Sequence, residues 1–367
     1  MQHSALGRGA KSLCSSPPPS ACLANIYGVQ DLPAKNPMTQ LYSRLGSVGF
    51  PRKYLHEIVL PSWWDDEIAH NPAGYTEGLL LLSRNLGLDL SSMQNEAVPI
   101  GLRNLGPCKF KKSAATSDEE LMLARIVATR TVELLSAAVP VPNKPLLTSA
   151  TEIRQLILRA GAPWVNLASL VDYCWSVGLP VVYVSAFPPK AKKMDGLAYA
   201  RSSRSAIVLC KNTHHSAWLS FILAHELGHF VRRHINNDGV LIDEQVDRNS
   251  TDVEEKAANA FALELLTGNP TSQVFSVGPV SARALAKAAH QAGVYEQIDP
   301  GHIVLNYAYQ MGSDCFAVTN AALKLLEPHA DAVDLVRSRM MAHLDKTKLS
   351  EDTYEFILRA TRAGAQA

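Results

Sequence analysis

Ala224-His225-Glu226-Leu227-Gly228-His229-Phe230 lies inside a stretch whose apolar residues, Trp218, Phe221, Ile222 and Val231, predict a buried helix from about Ala217 to His234. Two histidines four apart share one helix face a turn from each other, so both imidazoles reach one tetrahedral metal ion. Glu226, adjacent to the first histidine, is placed to take a proton from a metal-activated water. With 12 histidines in 367 residues, chance supplies roughly 0.02 matches to His-Glu-x-x-His. The motif requires a third ligand.

The next helical pattern, Asp252-Val253-Glu254-Glu255-Lys256-Ala257-Ala258-Asn259-Ala260-Phe261-Ala262, offers one. Thr251 and Glu254 suit a capping box at its start, and Gly268, Asn269 and Pro270 stop it. Glu255 and Asn259 are four apart and share a face. Glu255 is therefore the expected ligand, with Glu254 as its rival and Asn259 placed to orient a ligand histidine through a hydrogen bond. Ala257, Ala258, Ala260 and Ala262 leave room for two helices to approach closely. Residues 235–250, with the turn Asn236-Asn237-Asp238-Gly239, reverse the chain between them. His234 ends the first helix as a charge partner or a support for the ligands, and His214-His215 read as a polar loop before it.

His-Glu-Leu-Gly-His followed by Glu255-x-x-Ala258-Asn259-x-Phe261-Ala262 and Leu265-Leu266 resembles the ImmA/IrrE family of bacterial and phage metallopeptidases over residues 150–275. The resemblance implies a zincin-like fold, zinc held by His225, His229 and Glu255, Glu226 as general base, and a repressor as a frequent substrate. It also implies a DNA-binding module at the N-terminus. Here that module has only a faint helix-turn-helix echo, in Tyr75–Leu79 and Leu86–Leu90. Residues 39–115 carry 8 Lys/Arg against 7 Asp/Glu, a weak footprint for phosphate contacts, so DNA binding stays open.

Outward from the motif, 196–200 and 206–210 read as a hairpin joined at Arg201-Ser202-Ser203-Arg204, one strand of which is expected to pair with an extended substrate. Residues 179–184 read as a third strand. Helices are expected at 151–160 and 166–177, and Pro140–Pro145 reads as a stiff linker. The expected class is α+β, mostly helical: a tail without structure at 1–38, a helical module at 39–139, a linker at 140–149, a zincin-like metallopeptidase domain with a small sheet or hairpin at 150–275, and a helical extension at 276–367. Met38 is a candidate translation start. Trp63-Trp64 reads as core or a partner surface.

Composition narrows the class further. With 47% hydrophobic and 19% charged residues the chain is a folded protein, and at roughly 100–200 residues per domain its length suggests two or three units. The 35 Lys+Arg nearly cancel the 34 Asp+Glu, so no global field draws it to nucleic acid or membrane. Six scattered cysteines without a Cys-x-x-Cys pair argue against a disulfide framework and a thiolate zinc cluster, and the basic N-terminal stretch without a signal-like apolar segment leads to the expectation of a cytoplasmic protein. The expected function is zinc-dependent cleavage of a regulatory protein, such as a transcriptional repressor or a toxin–antitoxin component. The alternative is a regulatory or antitoxin-like binding protein on the same metal fold. Tyr295, Tyr307, Tyr309 and His302 are oxyanion stabilisers by type alone.

Overall fold

The computed structural model describes residues 36–363 apart from 104–105, 112–115, 141–143, 202–203, 236–238, 249, 275, 277 and 279. The tail read at the N-terminus lies outside the described residues up to 35. So do the middle of the proline-rich linker and both polar turns.

Before the sheet the described residues form four α-helices, α1 (Pro37–Ser47), α2 (Arg52–Tyr54), α3 (Pro72–Leu86) and α4 (Leu90–Gln94). Their shapes follow from local chemistry: Asn36 and Asn71 cap α1 and α3 with prolines in the first turn, and Gly87 ends α3 at φ 65°. α4 runs five residues. The Arg44 guanidinium binds the carbonyls of Ser92, Met93, Asn95 and Val98 around its end. This departs from a helix-turn-helix, whose second helix must be long and free enough to enter a groove.

The chain then contributes a strand that periodicity does not reveal, β1 (Cys108–Lys111), followed by α5 (Asp118–Leu135). Helices α6 (Ala150–Arg159) and α7 (Leu167–Ser176) lead to β2 (Val181–Tyr183), β3 (Gly196–Arg201) and β4 (Arg204–Leu209). The motif helix α8 (Ser216–Val231), strand β5 (Gly239–Asp243) and helix α9 (Val253–Thr267) follow. The sheet order is β1-β5-β3-β4-β2, with β3 antiparallel to both neighbours and the two edge strands parallel to theirs. Both hairpin strands are therefore interior, and the expectation that one of them is free to pair with substrate is corrected: the edges are β1 and β2.

Side chains alternate across a strand, and β3 shows what covers each face. A Cβ at Gly196 would point at Glu226 of α8, whereas Tyr199 and Arg201, of opposite parity, reach Glu133 of α5. The sheet is thus sandwiched between α5 and the motif helix. Residues 39–139 supply both its β1 edge and its α5 face, so the linker read at 140–149 joins segments that pack on one sheet.

After Gly268, which ends α9 at φ 83°, the chain forms α10 (Ala282–Glu296), α11 (Pro300–Met311), α12 (Phe316–Leu326), α13 (Ala332–His343) and α14 (Glu351–Thr361). Pro300 opens α11 in its first turn beneath the Asp299 cap. The last helix returns to the first ones: Trp63 Nε1 donates to Asp352 at 2.8 Å, and Arg359 reaches the carbonyls of His56 and Leu60. Trp64 is buried and donates to Asp66, whereas the Trp63 ring is 48% exposed. Buried apolar side chains from Met38 to Ala363 form one connected core, where length alone suggests two or three units. No described helix is long and apolar enough to cross a membrane.

Candidate metal centre

Helix α8 is buried nearly all round, which its run Leu219-Ser220-Phe221-Ile222-Leu223-Ala224 dictates. It packs on α9 through small residues. A Cβ at Gly228 would meet the Ala258 Cα at 3.1 Å and the Ala258 carbonyl at 3.2 Å. The close approach brings the polar residues of both helices into one enclosed space, where His225, Glu226 and His229 have no exposure and Glu255 has 5%.

There the three expected ligands meet. His225 Nε2 and His229 Nε2 are 2.9 Å apart, and Glu255 presents Oε2 to His225 at 3.3 Å and Oε1 to His229 at 3.5 Å. The outer nitrogens are already engaged. His225 Nδ1 lies 3.0 Å from Asn259 Oδ1. The Asn259 amide nitrogen donates to the Asp247 carbonyl, which leaves Oδ1 as the acceptor and makes Nδ1–H of His225 the donor. His229 Nδ1 lies 2.9 Å from His234 Nδ1. The first pairing frees the Nε2 lone pair of His225 toward the centre, the tautomer that a metal ligand needs, and the second holds the His229 ring from its outer nitrogen. Burial, with His225 and His234 nearby, holds His229 far below the ordinary histidine range and so neutral.

A fourth group was not read from the sequence. Asp243, the last residue of β5, is fully buried with Oδ2 3.7 Å from His225 Nε2 and 3.6 Å from His229 Nε2. The four residues form the cluster of ligating side chains able to hold a metal ion among the described residues. Val240-Leu241-Ile242 after Gly239 is a β-branched and apolar run whose charged end was the available signal.

Does the donor set suit a cation? Glu226, Asp243 and Glu255 bring three carboxyl groups into one dry space. Burial first, then Asp243 and Glu255, raise the Glu226 carboxyl well above its usual range. Burial pushes Asp243 up to about 7, with His225 opposing and Glu255 adding. Glu226 and Asp243 bond to each other, carboxyl to carboxyl, and Oε1 of Glu255 lacks a hydrogen-bond partner. Two imidazoles converging at 2.9 Å among three buried carboxyl groups are costly without a positive charge between them, and a divalent cation with N and O ligands removes that cost. The centre fits a metal.

Glu254 is elsewhere. It pairs with Lys109 at 2.9 Å and Lys111 at 3.2 Å. The helix cap is Asp252, which accepts from the backbone of Glu254 and Glu255, and not the Thr251–Glu254 box expected from sequence. Glu254→Ala should therefore keep metal and cost no more than about 1 kcal/mol, the scale of an exposed ion pair, while Glu255→Ala should lose metal. Elemental analysis and thermal unfolding of the two variants check this, and metal lost from the Glu254 variant alone would overturn it.

The oxyanion candidates scatter. Tyr295 is 85% exposed on α10, and Tyr307 packs toward Ser276. His302 and Tyr309 stack around Phe221, whose ring lies 6.5 Å from His225. Only this last pair approaches the centre. His215 precedes α8, about 15 Å along the axis from His225 at 1.5 Å per residue, so it stands apart.

Residues 181–271, which contain the sheet hairpin and both ligand-bearing helices, match the model of a peptidase family, M78, described as the IrrE N-terminal-like domain. This segment is similar to an IrrE N-terminal-like domain. No curated protein and no solved structure matches the chain significantly. The match begins at β2 and ends just after α9, so the IrrE-like segment includes Asp243, whereas β1 and α5 lie outside it.

Gly196 of this domain carries a separate constraint. Its absent Cβ would fall 2.1 Å from Glu226 Oε1 and 2.9 Å from its Cδ, so any side chain there displaces the carboxylate. Gly196→Ala should retain metal and lose about 10- to 100-fold in turnover, the scale of a misplaced catalytic group. Metal analysis beside cleavage rates checks it; unchanged turnover would show that Glu226 tolerates displacement.

Proposed function

We propose that the protein is a zinc-dependent endopeptidase that cleaves one or a few regulatory proteins, a transcriptional repressor or a toxin–antitoxin component among them. The observation that carries this reading is Glu226: a fully buried carboxyl next in sequence to His225, bonded to the Asp243 carboxyl and held against Gly196. A binding protein has no use for a buried acid paired with another acid beside a metal centre, and such a group costs stability.

His225, His229 and Glu255 would hold the ion, with Asn259 fixing the His225 tautomer and His234 holding the His229 ring. Zinc bound there supplies Lewis-acid chemistry, lowering the pKa of water and polarising the scissile carbonyl. Glu226 accepts the proton of the attacking water and returns it to the leaving amine. The dry surroundings that raise its proton affinity suit it to hold that proton between the two steps. A groove of about 670 Å³ lined by Phe110, Lys111, Glu244, Asp247, Ser250 and Glu255 opens beside the centre, and is where a peptide chain would enter. A cytoplasmic location accords with the free thiols of Cys108, Cys174, Cys210 and Cys315.

The test compares the protein N-termini of cells expressing the wild type and Glu226→Gln. New termini confined to one or a few regulators, present only with the wild type, are expected. Their absence while the biological function persists would favour the binding-protein alternative.

A further inference from the structure

Asp243 is held more firmly than a bystander needs to be. Its backbone is in register with Lys111 of β1 on one side and Gly196 of β3 on the other, and its carbonyl accepts from Asp195 N at 3.0 Å. A residue paired on both sides of a strand has a fixed Cα–Cβ direction. Here that direction leads into the centre. The side chain is fully buried and bonds to the Glu226 carboxyl.

Its distances identify what it does there. At 3.7 and 3.6 Å from the two Nε2 atoms, Asp243 Oδ2 is too far for a hydrogen bond. His225 spends its N–H group on Asn259, so its Nε2 has no proton to give. These are instead separations between ligands. Donors bound at about 2.0–2.2 Å to a tetrahedral ion stand roughly 3.3–3.6 Å apart. The contacts of Glu255 with the histidines, 3.3 and 3.5 Å, and those of Asp243 fall at or close to this range.

We propose that Asp243 is a fourth protein ligand, so that the resting centre is closed by His225, His229, Glu255 and Asp243, and water enters only when the Asp243 carboxylate withdraws. The inference rests on the metal centre proposed above. Closed sets of four protein ligands are the mark of structural sites, whereas hydrolytic sites keep one position open. A peptidase with this centre is latent until its β5 end moves.

The test uses the full-length protein loaded with Co²⁺ and with Zn²⁺. In ¹⁷O-enriched water the Co²⁺ electron paramagnetic resonance lines of the wild type should stay unbroadened, because no water is bound. Asp243→Asn should gain that broadening and bind zinc at least about tenfold more weakly in chelator competition, the scale at which support of a metal site is lost. Broadening in the wild type, or an Asp243→Asn affinity within about twofold of it, would overturn the inference while leaving the three-ligand centre intact. Should the variant not fold, the wild-type spectrum decides alone. A wild type that takes up neither ion would instead refute the centre itself.

Discussion

Glu226→Gln is expected to keep its metal and to cleave a genuine substrate at least about 10²-fold more slowly, the usual scale for loss of a general base. The substitution preserves volume and removes the buried carboxyl next in sequence to His225. The amide also relieves the like-charge contact with Asp243 and Glu255, which together with burial raises the Glu226 carboxyl. Metal content and thermal stability should therefore hold or rise while turnover falls. Single-turnover cleavage beside elemental analysis separates the two effects. Equal turnover in both proteins would refute the mechanism.

His229→Ala is expected to have the larger effect on occupancy. It deletes one of two imidazoles whose Nε2 atoms converge at 2.9 Å, and it strips His234 of its partner. Wild-type protein should carry about one zinc per chain, the number for a single centre, and the variant close to none after dialysis. Because binding to the folded state alone raises its stability, zinc should raise the unfolding temperature of the apo wild type and leave that of the variant unchanged. A variant that retains full zinc would show that the ion sits elsewhere.

Residues 225–229 and the Glu255–Asn259 pair were legible because their geometry is local. Residues four apart on a helix share a face whatever surrounds them, so ligand type, spacing and phase sufficed to select Glu255 over Glu254. The mostly helical α+β class and the three strands β2, β3 and β4 were legible on the same terms, since each announces itself by apolar runs between turns. Capping was less secure: Thr251 and Asp252 are both competent caps, and only the backbone path chose Asp252.

What tertiary structure decided was everything that depends on pairing between distant segments. A strand of four residues such as Cys108–Lys111 has no periodicity of its own, and it becomes a strand only because Val240–Asp243 offers an edge to pair with. Once β1 and β2 take the edges, the hairpin is interior. Once α5 covers the second face, residues 39–139 become part of the sheet's support. Asp243 was hidden for the same reason. Its partners lie on two other strands and two helices, and no spacing along the chain encodes that meeting. Sequence alone nominated side chains able to bind a metal and move a proton; the nonlocal packing of β5 between β1 and β3 determined that a third acid joins them.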